Sequence, residues 1–187
     1  MENLTTKQLL AQSLKKCMET KPFSKISVSM IAEGCHLNRK SFYYHFQDKY
    51  DLLTWIFDSE VEQFVSKKGY VSGWEKTKDL YVYLDANRKF YKKAFKVEGQ
   101  NSLQNHFYTV LKPAVEKKLK SENRETDEFT VQFFLDAIFC TSMSWLKDSK
   151  GLSPFDFVSR IEKCLDSTAN HKNWVPVYDT KTNIACI

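Results

Sequence analysis

The stretch whose residue types most clearly suggest a chemical role is "LNRKSFYYHFQDKYDLL", residues 37–53. It places cations, hydroxyl groups, a histidine and several aromatic rings within about four helical turns. Lys and Arg side chains can donate to phosphate oxygens or to guanine O6 and N7. Phe42 and Phe46 are four residues apart, so in a helix they share one face. The stretch therefore predicts a helix with an apolar face toward a core and an opposite face suited to a polyanion.

The positive charge of the chain is concentrated in the same region. The net charge is +5, and residues 1–50 carry eight Lys or Arg against four Asp or Glu, a balance of +4 that leaves +1 for the rest. A local positive field is typical of a polyanion-binding module, although a balance of this size alone is weak support.

Four helices are predicted to build and position this region. Pro22 ends the first helix, because the residue before a proline is pushed out of the α region. The second helix carries apolar residues from Val28 to Cys35 at helical spacing, with Gly34 near its end. The fourth runs to about Lys67 and breaks in "KKGYVSG", residues 67–73. The predicted starts are Thr5 or Thr6, Ser27, about Asn38, and Asp48.

The remainder is also predicted to be helical, because Gly and Pro are few and apolar residues recur at helical spacing. Pro113 is expected to kink its helix, and Ser153 and Pro154 are expected to cap and begin the last one. The apolar excess of the last two helices predicts a second subunit against them, and the tail from about Ser167 is expected to be irregular. The predicted helices span residues 75–84, 86–97, 101–121, 127–147 and 154–166. The fold class is therefore all-α, with about nine helices.

Two short helices joined by a tight turn predict a helix-turn-helix, whose second helix enters the major groove of DNA. Backbone N–H groups at the start of the first of these helices also favour a phosphate. The predicted DNA contacts are Arg39, Lys40 and Tyr43 toward base edges, and Ser27, Ser29, Ser41, Tyr44, His45 and Lys49 toward phosphates.

"FSKISVSMIAEGCHLNRKSFYYHFQDKYDLL", residues 23–53, resembles the N-terminal domain of the TetR family of transcriptional regulators. The resemblance covers about residues 5–66, and "SMSWLKDSKGLSPFDFVSRI" is similar to the joint between the last two helices of the family. The segments "KPFSKISV" and "FQDKYDLLTWIF" also resemble sequences of a branch of the family that includes activators of dihydroxyacetone kinase operons.

The resemblance implies a homodimer formed through the last two long helices and a pseudo-palindromic double-stranded DNA operator. It implies an effector, a small molecule or a protein, that binds the C-terminal part and controls the DNA-binding heads. Most members of the family are repressors. The resemblance also implies that Ser29 matches a base-reading position or one near it. We therefore expect a helix-turn-helix domain at residues 1–50, with helix four linking it to an effector-binding and dimerisation domain at residues 51–187.

Two positions depart from the family pattern. His36 stands where members often have Gly in the turn, and His is among the residues that tolerate positive φ. Lys40 stands where many members have a small residue, so the base pattern read by this helix is expected to differ.

The aromatic residues between residues 81 and 145 are open to two interpretations. They could line an effector pocket, and core packing explains their spacing equally well. The effector-pocket candidates are Tyr91, Phe95, Phe107, Phe134, Phe139 and Trp145.

Other chemistries have weak support. His106 and His171 lack a second His or Cys at i+3 or i+4, so neither a metal site nor a cofactor is expected. Five widely separated cysteines indicate reduced thiols, with a sensor role for Cys140 or Cys164 as the less favoured alternative. GxSxG, P-loop, GxGxxG and HExxH motifs are missing, so no enzyme is predicted.

The sequence thus predicts a DNA-binding transcriptional regulator, with repression as its expected effect. No signal-peptide pattern and no run of about 20 apolar residues is found, so we expect a cytoplasmic protein without membrane partners. One alternative is a protein-interaction or co-activator subunit of the same fold that acts through a partner without binding DNA. Another is a small-molecule carrier built on the helical bundle.

Overall fold

A computed structural model describes residues 4–65, 73–99, 101–121, 126–148 and 151–167. Within these ranges the chain forms nine α-helices and one short 3-10 turn, without any β-strand, which confirms the all-α prediction. The helices are α1 (Thr6–Thr20), α2 (Val28–Glu33), α3 (Arg39–His45), α4 (Lys49–Val65), α5 (Gly73–Ala86), α6 (Arg88–Ala94), α7 (Leu103–Ser121), α8 (Glu128–Lys147) and α9 (Pro154–Ser167), and the 3-10 turn is Phe23–Lys25.

The helix starts are set by side-chain caps at the predicted positions. Thr5 forms a capping box with Gln8, in which each side chain accepts the other residue's backbone N–H. Ser27 caps α2 by accepting from the Met30 N–H at 3.2 Å. The Asp48 carboxylate accepts from two backbone N–H groups in the first turn of α4, and Ser153 caps α9. These caps confirm the predicted starts, because each satisfies N–H groups that the helix itself leaves unpaired.

The first three helices pack around a small apolar core. Leu10 and Leu14 of α1, Ile31 of α2, and Phe42 and Phe46 of α3 are all buried. The inward orientation predicted for the two phenylalanines is therefore confirmed. Apolar packing of this kind fixes which side of α3 remains available for contact with solvent or a ligand.

Close packing between α1 and the end of α2 requires a glycine. The Ser13 hydroxyl donates to the Ile31 carbonyl at 2.6 Å, and a Cβ on Gly34 would lie 2.4 Å from that hydroxyl oxygen. A side chain at Gly34 would therefore displace Ser13 from its buried hydrogen bond.

The turn after α2 has the geometry of a Schellman motif. The Leu37 N–H donates to the Ala32 carbonyl at 2.9 Å, and the His36 N–H donates to the Glu33 carbonyl at 3.0 Å. His36 has φ 58°, the left-handed conformation that glycine usually supplies at this position. The expectation that a histidine accommodates the turn is confirmed, at the steric cost that a side chain incurs there.

Helix α4 joins these three helices to the remaining five. Its residues Leu52, Leu53, Ile56 and Phe57 are buried in one continuous apolar cluster that extends from α1 to α9. In the bundle, α5 packs along α9 and α7 packs along α8. His106 of α7 adds a polar contact, with its Nε2 2.6 Å from Asp58 Oδ1 of α4.

Helix α8 bears on the expectation that the chain has no membrane-spanning segment. It is 20 residues long and apolar enough to meet the criterion for crossing a membrane by length and composition alone. Buried residues such as Val131, Leu135 and Leu146 pack it against the bundle, and core helices of globular proteins meet the same criterion. It therefore gives weak support for a membrane span.

Pro113 lies inside α7, and the helix continues past it to Ser121. The kink expected at Pro113 stays a prediction. The break between helices that was predicted between residues 84 and 86 lies at Asn87, between α5 and α6. The break predicted at residues 67–73 falls almost wholly outside the described residues, and the tail predicted to be irregular lies beyond Ser167, also outside them. The division at residue 50 stays a prediction.

Replacing His36 with glycine should stabilise the N-terminal helices by up to about 1 kcal/mol, because it removes the left-handed strain at the turn. The measurement is the free energy of unfolding in urea. His36→Ala is the matched control, since it removes the imidazole but keeps the Cβ. Equal effects of the two substitutions would show that the imidazole, not the backbone, decides the stability of this turn.

Candidate nucleic-acid interface

The outer face of α3 carries the side chains that the sequence predicts for DNA contact. Arg39 and Lys40 are exposed, and Tyr43 and Tyr44 are 50% and 84% exposed. A contiguous exposed patch that includes aromatic rings often marks an interaction site. The face therefore presents two cations and two phenols to solvent, opposite the buried Phe42.

Neighbouring side chains order this surface. The Arg39 guanidinium lies over the Tyr43 ring, 5.9 Å from its centroid. Tyr44 and the half-buried His45 meet edge to face, with ring centroids 4.9 Å apart. These contacts restrict the rotamers of the exposed groups, which reduces the entropy that a ligand would have to remove on binding.

Ser29 extends the surface onto α2. Together with Arg39 and Lys40 it lines a shallow cleft of about 490 Å³ at the junction of α2 and α3. Ser27 lies at the exposed start of α2, where its hydroxyl is engaged as the cap. The structure thus places Ser27, Ser29, Arg39 and Lys40 in the two-helix unit, as predicted.

Asn38 was not among the predicted site residues. Its Oδ1 accepts from the Ser41 N–H at 2.9 Å and from the Ser41 hydroxyl at 3.2 Å. Ser41 is therefore partly committed to the start of α3, whereas the amide nitrogen of the exposed Asn38 remains a donor on the candidate face. The signal for this residue was its position as an N-cap at the start of the helix.

Lys49 has a different environment from the other candidates. Its ammonium donates to the Phe23 and Ile26 carbonyls, both at 2.8 Å, and lies 4.6 Å from the centroid of the Phe23 ring. Burial lowers the pKa of Lys49, and the negative charge of Asp48 partly opposes that shift. Lys49 therefore ties the start of α4 to the turn before α2, and its role toward phosphate stays a prediction.

Most of the predicted effector-pocket residues lie in the core. Phe95, Phe107 and Phe139 pack against one another with ring centroids 5.4 to 6.0 Å apart, and Tyr91 is fully buried beside Phe57. Trp145 stacks on Phe157 at 5.0 Å and donates its indole N–H to the Leu152 carbonyl. Core packing accounts for the burial of these five residues.

Phe134 is the exception among the effector-pocket candidates. It is half-buried and lines an apolar groove of about 320 Å³ between α8 and α9. The neighbouring Phe133 lines the same groove and is 59% exposed. An effector role for any of the six candidates stays a prediction.

Two family models match this chain. One, described as "Bacterial regulatory proteins, tetR family", matches residues 12–54, which include α2 and α3. The other, described as "Transcriptional regulator C-terminal region", matches residues 74–167, half of the chain. The chain belongs to the TetR family. This TetR-family chain is accordingly a transcriptional regulator, and the predicted resemblance is confirmed.

A curated relative of this TetR-family chain is the "HTH-type dhaKLM operon transcriptional activator DhaS" of Lactococcus lactis subsp. lactis. It is 26% identical over 127 residues, which cover 67% of each chain.

Solved structures share the TetR-family fold. The "Dihydroxyacetone kinase operon activator DhaS" aligns over 89% of this chain and 97% of its own, with a TM-score of 0.56 and 23% identity. The fatty acid degradation regulator FadR from Bacillus halodurans aligns over 88% and 96%, with a TM-score of 0.57 and 16% identity. NalD of Pseudomonas aeruginosa, described as the secondary repressor of the MexAB-OprM multidrug efflux pump, aligns over 87% of this chain and 95% of its own. Its TM-score is 0.56 and its identity is 16%. At these identities the likeness concerns the fold.

Replacing Lys49 with methionine should lower the free energy of unfolding by about 1 to 3 kcal/mol, because two charge-assisted hydrogen bonds are lost. The measurement is urea denaturation at neutral pH. Lys40→Met is the matched control, since Lys40 is exposed and should change stability by no more than about 0.5 kcal/mol. Equal losses in both variants would contradict a structural role for the Lys49 hydrogen bonds.

Proposed function

We propose that this TetR-family regulator binds a pseudo-palindromic DNA operator as a homodimer, in the cytoplasm, and that an effector bound by its C-terminal part controls operator occupancy. The observation that carries the proposal is the two-sided α3. Phe42 and Phe46 anchor it to the core, while Arg39, Lys40 and Tyr43 face solvent. A helix exposed in this way fits a major groove, where Arg and Lys recognise guanine.

Dimer formation is supported by exposed aromatic residues on the last two helices. Phe129 and Phe133 of α8 are 80% and 59% exposed, and Phe155 of α9 is 54% exposed. Three large apolar side chains are costly to leave in water, and Phe133 also lines the apolar groove between α8 and α9. A second copy would cover them through a two-fold interface and would present two recognition helices to one operator.

Effector control is proposed from family membership together with the bundle's aromatic residues. Phe134, at the edge of the α8–α9 groove, is the most accessible of the six candidates. The dimer would have two conformations that differ in the spacing of its two DNA-binding domains. An effector that binds one conformation more tightly would shift the population toward it and so change the affinity for the operator.

Repression is the proposed direction of regulation, which is the expectation for most members of the family. Activation, the activity for which the Lactococcus relative is named, is the competing result. A reporter placed under the selected operator separates the two.

The second candidate function is a subunit of the same fold that acts through a protein partner without binding DNA. The same exposed phenylalanines support it, because they could receive a different chain. The DNA experiment that follows distinguishes the two functions.

Arg39→Ala and Lys40→Ala should each weaken operator binding by about 1 to 3 kcal/mol if the side chain makes a good bidentate base contact. The operator is first selected from random duplexes, and affinity is then measured at two salt concentrations. Affinity should fall as salt rises, because bound phosphates release counterions.

Lys117→Ala on α7 is the control, since it removes one exposed charge far along the chain from α3. A selection without an enriched palindrome, or affinity insensitive to salt, would remove the DNA proposal. Normal regulation in cells by the Arg39 and Lys40 variants would favour the partner-dependent subunit.

Phe133→Asp should convert the dimer to monomers. Each copy would lose about 1.5 to 3 kcal/mol of apolar burial, and a two-fold interface counts the loss twice, so the dimer should weaken roughly a hundred-fold or more. Sedimentation velocity across a concentration series measures this. Val110→Asp on α7 is the matched control, since Val110 is 49% exposed and lies on another helix. A Phe133→Asp protein that stays dimeric would place the interface elsewhere.

A further inference from the structure

The solvent-facing side of α6 and of the turn after it carries a series of lysines. Lys89, Lys92, Lys93 and Lys96 are three and four residues apart, so they share one side of the helix, and residues 88–96 contain no Asp or Glu. Lys96 lies just beyond α6, where its N–H donates to the Lys93 carbonyl at 3.2 Å. Like charges at this spacing repel one another, so the arrangement is unfavourable for α6 taken alone.

The end of α1 adds two more lysines beside this side of α6. The Lys93 ammonium donates to the Met18 and Glu19 carbonyls, both at 2.8 Å, which places it at the last turn of α1. Lys21 follows as the C-cap of α1, and Lys25 ends the 3-10 turn. Both are exposed. We call this surface the basic ridge, and it consists of Lys21, Lys25, Lys89, Lys92 and Lys96.

Carboxylates leave the basic ridge largely unneutralised. Glu19 and Glu98 are exposed and are close in sequence to ridge lysines. Within the part of the chain that the structure describes, neither forms an ion pair with a ridge lysine. Asp85 pairs with Arg88 instead. The excess of cations therefore produces a local positive field on this side of the molecule.

The basic ridge adjoins the proposed DNA surface through the loop between α1 and α2. Lys25 is two residues before Ser27, which is the exposed cap of α2 and a proposed phosphate contact. The Lys49 ammonium donates to the Phe23 and Ile26 carbonyls, which flank Lys25 in the chain. These two hydrogen bonds hold the loop in place. The ridge thus begins beside the start of α2 and continues onto the bundle helix α6.

We propose that the basic ridge binds phosphates of the double-stranded DNA that flanks the operator, outside the base pairs contacted by α3. Duplex DNA carries about one negative charge per 1.7 Å of its axis. Lysine acts on phosphate as a flexible point charge, so a row of lysines can follow such a backbone without a fixed hydrogen-bond geometry. The contact adds affinity without reading sequence. The proposal rests on the proposed function, because it needs a regulator that binds DNA.

The first test varies the length of the DNA. One duplex ends at the selected palindrome, and the other extends it by about 20 base pairs, two helical turns, on each side. The wild type should bind the extended duplex more tightly. Its affinity for that duplex should also fall more steeply as salt rises, because more bound phosphates release counterions. Equal affinity and equal salt dependence on the two duplexes would overturn the proposal.

The second test removes the two exposed lysines of this side of α6, Lys89 and Lys96. Lys89→Gln combined with Lys96→Gln should flatten the slope of log affinity against log salt by about 2 to 4 on the extended duplex, since a dimer loses both lysines twice. On the short duplex the variant should match the wild type. Lys89→Arg combined with Lys96→Arg should keep the wild-type slope, because it keeps the charge. Equal flattening on both duplexes would contradict a contact outside the operator.

Lys117→Gln combined with Lys120→Gln is the matched control. Both lysines are exposed on α7, around Leu119, which packs in the cluster with Val131 and Leu135 of α8. This variant removes the same charge and should keep the wild-type salt dependence on both duplexes. Both glutamine variants should unfold at the wild-type urea concentration, because exposed substitutions change stability little. A control that flattens the slope as much as the α6 variant would attribute the effect to net charge and overturn the proposal.

The outcomes separate this proposal from the proposed function. A wild type that selects no operator would remove both. If the wild type selects an operator and the α6 variant keeps the wild-type slope on the extended duplex, only the ridge contact is overturned. Loss of regulation in cells by an α6 variant that binds both duplexes normally would also overturn it, and would assign the ridge to an acidic protein partner.

Discussion

Helix α4 packs against both the three N-terminal helices α1–α3 and the bundle formed by α5–α9, and the rest of the structure depends on this double contact. On one side, the Trp55 ring meets Phe46 of α3 with centroids 5.6 Å apart. On the other, Phe57 meets Tyr91, Phe95 and Phe107 at 6.0 to 6.3 Å. The two sets of aromatic contacts lie two residues apart on one helix, within one continuous apolar cluster, so α4 cannot turn or slide without disturbing both sets. The recognition helix is positioned by the same helix that completes the bundle.

Charged side chains from distant elements complete this arrangement by capping free carbonyls. Lys49 closes the turn before α2, Lys93 the end of α1, and Arg88 the end of α8. Each cation donates to two carbonyls, and a buried or partly buried carbonyl without a donor would be destabilising. Apolar packing thus decides which helices meet, and these ionic caps fix the ends of the helices against each other.

Caps and turns were predictable from the sequence because they depend on residues within a few positions of one another. Ser27, Asp48 and Ser153 cap their helices by accepting from N–H groups two or three residues later. His36 was singled out because members of the family that the sequence resembles often have Gly at this turn position, and its φ is 58°. The face of α3 was predictable for a similar reason, since Phe42 and Phe46 share one side of any helix.

The sequence by itself determined the all-α class, the helix starts and the two faces of α3, because periodicity and capping act over about one helical turn. Only the tertiary structure decided which aromatic residues fill the core, because helical spacing is the same for a buried ring and a pocket-lining one. It also decided that the Lys49 ammonium bonds to carbonyls 23 and 26 residues earlier and that Lys93 reaches α1. Those partners are distant in the chain, and only the packing of all the helices around α4 brings them together.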